Sequence, residues 1–377
     1  MKKILVVFLI GIFFGITNIF TASATGDEVT LCQGSSSAIL FERSTNTVLY
    51  NKEMNLRLPP ASMTKIMTLL LIYEALESKQ ITKEKMLTIG EEPTKVEGSK
   101  AFLSIGDEIS VDELLKCICI ASANDAAIAM AIELAGSEAQ FVNKMNEKVA
   151  ALGLKNTHFS DCTGLSSKNH YTSAYDLAII SDYLLDHYPD VLNYTNIQED
   201  YIRKDTSKPF WLVNTNKMIG RVKYLDGLKT GYTSFSKYCI TLHMTQENMS
   251  LITVVFGYDK ATTRNAESIE LLRYGFANYK LEKLVSKGTV LESFEHILYK
   301  DKVDVIVEED IYYLCKKNEK LNYETKYSYN SSGDFTGKYE VYLDGKLVGE
   351  SKVKTKEEVK RKNLFELLFS VVRECLN

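Results

Sequence analysis

A serine followed three residues later by a lysine can do covalent chemistry, and Ser62 and Lys65 are so spaced. Residues three apart share a helix face, so the amine can reach the hydroxyl. Burial disfavours the ammonium form and lowers a lysine's pKa. A neutral Lys65 is then a base for a Ser62 nucleophile, in place of the commoner histidine. The spacing alone discriminates little, because it recurs at Ser234–Lys237 and Ser351–Lys354. Context discriminates more: only Ser62 follows a Pro59-Pro60 break and opens an apolar stretch. There the free N–H groups and positive dipole end of a helix favour developing negative charge. The plainer reading is an N-cap serine with a solvated first-turn lysine.

Two further clusters have the same double character. Ser122 and Asn124 close an apolar stretch, while the same S-x-N spacing recurs at Ser44, Ser167 and Ser328. The plain alternative makes Ser122 a cap for the alanine-rich run after it. Lys229-Thr230-Gly231 is a sequence found once. It offers a cation, a hydroxyl donor and a residue without Cβ that lets a substrate backbone come close. Its plain alternative is an ordinary strand start.

These residues need elements to hold them. Extended runs over 38–41 and 47–50 flank Ser44-Thr45-Asn46 and predict a hairpin. Helices are predicted over 62–78, from 111, over 124–135, 141–152 and 175–187, and over about 266–279. Runs at 238–244 and 251–258 predict strands. Helices thus intervene between an N-terminal and a C-terminal group of strands, which predicts an α+β layered domain over 25–283. From 284 to 356 the texture is that of a small β domain. Its firmest cue is Asp344-Gly345 between alternating runs, a hairpin turn. The tail, 357–377, reads as an amphipathic helix with Leu364, Leu367, Leu368, Val371 and Val372 on one face and Glu366, Ser370 and Arg373 on the other. Lys356, Lys360, Arg361 and Lys362 lead into it. That pattern suits attachment to the outer face of a membrane, or packing on its own domain.

The 377 residues are 45% hydrophobic and 25% charged with net charge −4, which excludes disordered, collagen-like and polytopic membrane classes and gives no reason to expect nucleic acid. Lys2 and Lys3, an apolar run over 4–16 and Ala22-Ser23-Ala24 form an export signal, 1–24, with cleavage after Ala24. Its loss removes two positive charges. An exported chain invites disulfides, yet the seven cysteines are odd in number and hold no C-x-x-C. They read as packing residues. Neither they nor the five histidines show metal-ligand spacing, so no metal and no cofactor is expected.

Taken together and in order, S-x-x-K, S-A-N and K-T-G approximate the S-x-x-K, S-D-N and K-T-G set of class A β-lactamases and penicillin-binding proteins. The match extends to R-L-P-P-A-S-M-T-K-I-M-T over 57–68, S-A-N-D-A-A over 122–127, L-G-L-K-N-T-H-F over 152–159, Gly164-Leu165 and D-G-L-K-T-G-Y-T over 226–233. The chain resembles a D-alanyl-D-alanine carboxypeptidase, a low-molecular-mass penicillin-binding protein, across about residues 27–280. The resemblance implies an antiparallel sheet sandwiched by helices and removal of the terminal D-alanine from peptidoglycan stem peptides, with β-lactams as inhibitors. It implies Ser62 as nucleophile, Lys65 as its activator and Ser122 as proton relay to the leaving D-alanine. Asn124 would hold the substrate amide, and Lys229 and Thr230 the terminal carboxylate, beside Gly231. The backbone N–H groups of Ser62 and Tyr232 would form the oxyanion hole. Some relatives carry an arginine between two asparagines upstream of K-T-G, where this chain has Asn214-Thr215-Asn216, and a histidine where it has Tyr232. Two other readings stay open: a β-lactamase, which lacks an evident E-x-x-L-N segment here, and a catalytically silent wall-binding protein.

Overall fold

The computed structural model describes residues 30–165, 169–204, 206, 209–330 and 335–376. The export signal expected over 1–24 lies outside them. The chain divides into two compact units, residues up to 243 with 252–268, and 244–251 with 269 onward.

The first unit is organised by a five-stranded sheet. Its strands run in the order Thr47–Lys52, Ser37–Glu42, Met249–Tyr258, Lys237–Gln246 and Leu225–Thr233. The first pair is antiparallel, Ala38 opposite Lys52. The last three strands are joined by short turns, which antiparallel neighbours permit and parallel ones do not. N-terminal hairpin and C-terminal strands therefore meet in one sheet, and the helices lie between them in sequence, as an α+β chain requires. Helices Lys65–Glu77 and Asn124–Ala135 are buried on nearly every face, and Asn124 begins the second where the sequence predicts.

Departures from the predicted boundaries have local causes. Ser110 and Glu113 form a reciprocal capping box that opens helix Val111–Cys119. Ser137 caps Glu138–Ala151, so that helix starts three residues before its first large apolar residue, Phe141. Ser173 caps Ala174–His187. Asp226-Gly227 looks like a turn but lies inside strand Leu225–Thr233. The Thr195 hydroxyl donates to Asp226 O at 2.7 Å. A Cβ on Gly227 would stand 2.9 Å from Thr195 Oγ1. That glycine therefore serves close packing and does not turn the chain.

In the second unit, strand Tyr279–Val285 pairs with Ile311–Lys316, so β structure begins before residue 284. A five-stranded sheet runs in the order Val290–Phe294, Val303–Val307, Lys346–Thr355, Gly337–Leu343, Tyr323–Tyr329. Asp344 and Gly345 both take positive φ, 47° and 74°, in the hairpin that pairs Leu343 with Lys346. Val305, Val307, Val341, Val353 and Phe335 form the core. Residues 357–363 belong to this unit and not to the terminal helix, because Tyr299 bridges Arg361 and Lys362 N donates to Leu298 O at 2.9 Å. The helix itself is Leu364–Leu376.

Candidate active site

Pro59-Pro60 ends the preceding segment, and Ala61–Thr64 forms one tight 3-10 turn ahead of helix Lys65–Glu77. Ser62 sits in that turn, and neither the turn nor the helix has a side-chain cap, so its hydroxyl is not spent on capping. Ala61 is held at φ 48°, a left-handed conformation that costs a non-glycine residue energy and persists only when neighbours enforce it. Two glycines do so. Gly164, at φ +92°, approaches so closely that any Cβ there would overlap Ala61 O. On Gly231, a Cβ would stand 2.7 Å from Pro60 O and 2.6 Å from Cys239 Sγ. The Ser62 turn is therefore clamped between residue 164 and strand Leu225–Thr233.

Lys65 is fully buried. Its Nζ lies 3.2 Å from Ser62 Oγ, 2.6 Å from Asn124 Oδ1 and 2.9 Å from Thr163 O. Asn124 Nδ2 donates to Glu97 O at 2.6 Å, which fixes the amide so that its oxygen faces the lysine. Ser122 has φ 60° and a buried hydroxyl with no hydrogen-bond partner among the described residues. The cap position of the following helix is Ala123, so Ser122 is not that helix's cap. Lys229 is buried, its Nζ donating to Thr230 O at 3.1 Å. The Thr230 hydroxyl donates to Thr215 Oγ1 at 2.8 Å. Tyr232 is 56% exposed and stacks on Tyr238 with ring centroids 4.3 Å apart.

The family model described as D-alanyl-D-alanine carboxypeptidase matches residues 23–260. The chain belongs to that family. The carboxypeptidase also matches the family described as penicillin-binding protein 5, C-terminal domain, over residues 279–361. It is 41% identical to the D-alanyl-D-alanine carboxypeptidase DacF of Bacillus subtilis, over 98% of this chain and 97% of that relative. Identity to DacA of Escherichia coli is 30%, over 89% and 86%. Among solved structures, penicillin-binding protein 5 of Haemophilus influenzae superposes with TM-score 0.73 at 28% identity, covering 88% of this chain and all of that one. Penicillin-binding protein D2 of Listeria monocytogenes, in an ampicillin-bound form, gives TM-score 0.60 at 26% identity over 66% of this chain and 100% of its own.

The supporting shell of the carboxypeptidase is less visible in sequence. Asp161 Oδ1 accepts from Thr163 N at 2.7 Å and from the Thr163 hydroxyl at 2.9 Å, which aims the Thr163 carbonyl at Lys65. His170 Nδ1 accepts from Ser160 N at 3.0 Å, so its Nε2–H donates to Thr64 Oγ1 at 2.7 Å. Burial lowers the His170 pKa and keeps the ring neutral in that role. Asp125 accepts from Ala101 N and Leu103 N at 3.0 and 3.1 Å, and Asn124 N donates to Ser99 O at 2.7 Å. The 97–103 segment is thereby fastened to the Asn124 helix. A main-chain carbonyl such as Thr163 O has no side-chain signature, and only Gly164-Leu165 beside it marks the place.

Burial governs the charges. It pushes Lys65 down to about 8, against the pull of nearby Asp161 and Asp125. Lys229 is pushed further, to about 7, by burial and then by the like charge of Lys65. Burial raises the Cys119 and Cys239 thiols to about 12, so both are neutral packing groups. Cys117, Cys162 and Cys315 are likewise buried free thiols.

Proposed function

We propose that Ser62 attacks the carbonyl between the last two D-alanines of a peptidoglycan stem pentapeptide, with Lys65 as base, and that water then hydrolyses the acyl-enzyme. The observation carrying this reading is the partner set of Lys65. A neutral amine has two N–H donors and one lone pair. Asn124 Oδ1 and Thr163 O can only accept, so they take the two hydrogens. The lone pair is left to Ser62, the one partner with a proton to give. Ser122, whose hydroxyl has no partner among the described residues, gives its own proton to the leaving nitrogen and is reprotonated by the Lys65 ammonium, and Asn124 Nδ2 has a second hydrogen for the substrate amide. The Ser62 and Tyr232 N–H groups form the oxyanion hole, each such donor contributing roughly 3–4 kcal/mol. Lys229 and Thr230 meet the terminal carboxylate, and Gly231 lets the peptide lie close.

β-Lactams acylate the same hydroxyl as substrate mimics. Intact protein treated with penicillin is expected to gain one covalent adduct, mapped to Ser62 and persisting for many minutes. Mapping elsewhere would overturn the assignment of Ser62. Rapid steady-state hydrolysis of the drug would make the chain a β-lactamase.

We also infer that the chain works outside the cell, exported by residues 1–24 and held to the outer membrane face by its last helix. Support comes from the way that helix faces. Its polar stripe turns inward, Glu366 pairing with Lys300 at 2.7 Å and Ser370 accepting from Lys362 at 2.8 Å. Leu364, Phe365, Leu368, Phe369 and Val372 are all more than half exposed, the reverse of a helix packed on its own domain. No helix among the described residues is long and apolar enough to cross a membrane. Mature protein, beginning at Thr25, is expected to sediment with vesicles of anionic phospholipid, and a variant ending at Asn363 to stay in solution. Equal sedimentation of the two would remove the helix from that role.

A further inference from the structure

We propose that Thr215 is a positioning residue for the substrate's terminal carboxylate, acting through the hydroxyl of Thr230; the inference rests on the reading of Thr230 given above. The Thr215 segment is fixed on every side. Thr215 N donates to Ile120 O at 3.0 Å. Asn214 Nδ2 donates to Thr195 O and Ile197 O at 3.0 and 2.8 Å, and its Oδ1 accepts from Asn216 N at 2.8 Å. Asn216 Oδ1 in turn accepts from Met218 N at 3.2 Å. The Thr215 hydroxyl is therefore presented to Thr230 Oγ1 at 2.8 Å by a rigid loop.

A hydroxyl has one proton. Without substrate, Thr230 gives its proton to Thr215. A carboxylate arriving at Thr230 takes that proton as a hydrogen bond, and the oxygen of Thr230 is left with a free lone pair. The O–H of Thr215 then turns to fill it. The pair reverses to Thr215 O–H to Thr230 O–H to carboxylate, and no proton changes owner. Each bond polarises the next, so Thr230 becomes a stronger and better oriented donor than a lone hydroxyl. Lys229 brings charge to the same carboxylate but does not orient the Thr230 hydroxyl, because its Nζ bonds the main-chain oxygen of Thr230 and not Oγ1.

Steady-state hydrolysis of a diacylated peptide ending in D-Ala-D-Ala tests the proposal on the full mature chain. Thr215→Val keeps the shape and removes the hydroxyl. Its KM is expected to rise about three- to tenfold, the scale of one neutral hydrogen bond, with kcat within about twofold. Thr215→Ser restores the hydroxyl and is expected to restore KM. The proposal is overturned if Thr215→Val leaves KM within twofold, or if kcat falls instead. It is equally overturned if the serine variant behaves like valine, which would mark a packing role. Failure of the underlying reading shows separately in Thr230→Val: KM within twofold of the unmodified protein would take Thr230 itself off the carboxylate, whereas the reading requires KM to rise.

Discussion

Ser62→Ala should give a folded protein that takes no label from a fluorescent penicillin and releases D-alanine at a rate lower by a factor on the order of 10^6, the scale seen when a hydrolase loses its nucleophile. The fold should survive because the hydroxyl does little structural work. It caps neither the turn nor the helix, and its bond to Lys65 is the longest of the three that the amine makes. Losing a bond of this kind costs about 1 kcal/mol or less, which a melting curve would register as a small shift. The strained Ala61 backbone is held by Gly164 and Gly231 and not by the serine. Fluorescence on the Ser62→Ala variant at the normal rate would mean that another nucleophile is acylated. Loss of label together with loss of the melting transition would mean only that the turn had collapsed. The catalytically silent alternative is met by the same assay, since a silent protein would release no D-alanine before the substitution either.

How far the sequence reaches is visible at particular residues. Lys65 is three positions from Ser62, and local geometry alone brings them within 3.2 Å. Local geometry also sets the start of the Asn124 helix and the Asp344-Gly345 hairpin. What joins 62, 124 and 229 is tertiary, and neither the spacing of apolar residues nor any single motif encodes it; only the likeness of several segments to one family points there. Thr163 is invisible because its contribution is a main-chain carbonyl. Thr215 stands out in sequence only as a departure, and its bond to Thr230 comes from strand placement. The stripe on the last helix is legible, but which side turns inward depends on Lys300, more than sixty residues away. Residues 357–363 look like a lead into that helix and are instead held by Leu298, Tyr299 and Lys300, because chain pairing outweighs the local basic run.

Lys65→Ala is expected to slow acylation by roughly 10^2–10^4, the range for removal of a general base, and to abolish a pH dependence that the unmodified enzyme shows. The base must be neutral to accept the Ser62 proton. With its pKa lowered to about 8, Lys65 is mostly protonated below that pH and mostly neutral above it. Acylation at saturating penicillin should therefore climb through pH 8 and level off, and at pH 7 run at about a tenth of the plateau, one pH unit being a factor of ten. Saturation matters because Lys229, at about 7 when free, must be charged to hold a carboxylate. The bound anion favours that charge. At low ligand concentration the loss of Lys229 charge with rising pH would mask the rise due to Lys65. The alanine variant leaves Asn124 Oδ1 and Thr163 O without their amine, at roughly 1–3 kcal/mol for each buried acceptor, so it should melt earlier yet remain folded. Its residual acylation should be flat from pH 6 to 9. A slope through pH 8 that survives in Lys65→Ala would place the titrating base elsewhere, and a flat profile in the unmodified enzyme would remove Lys65 as the base.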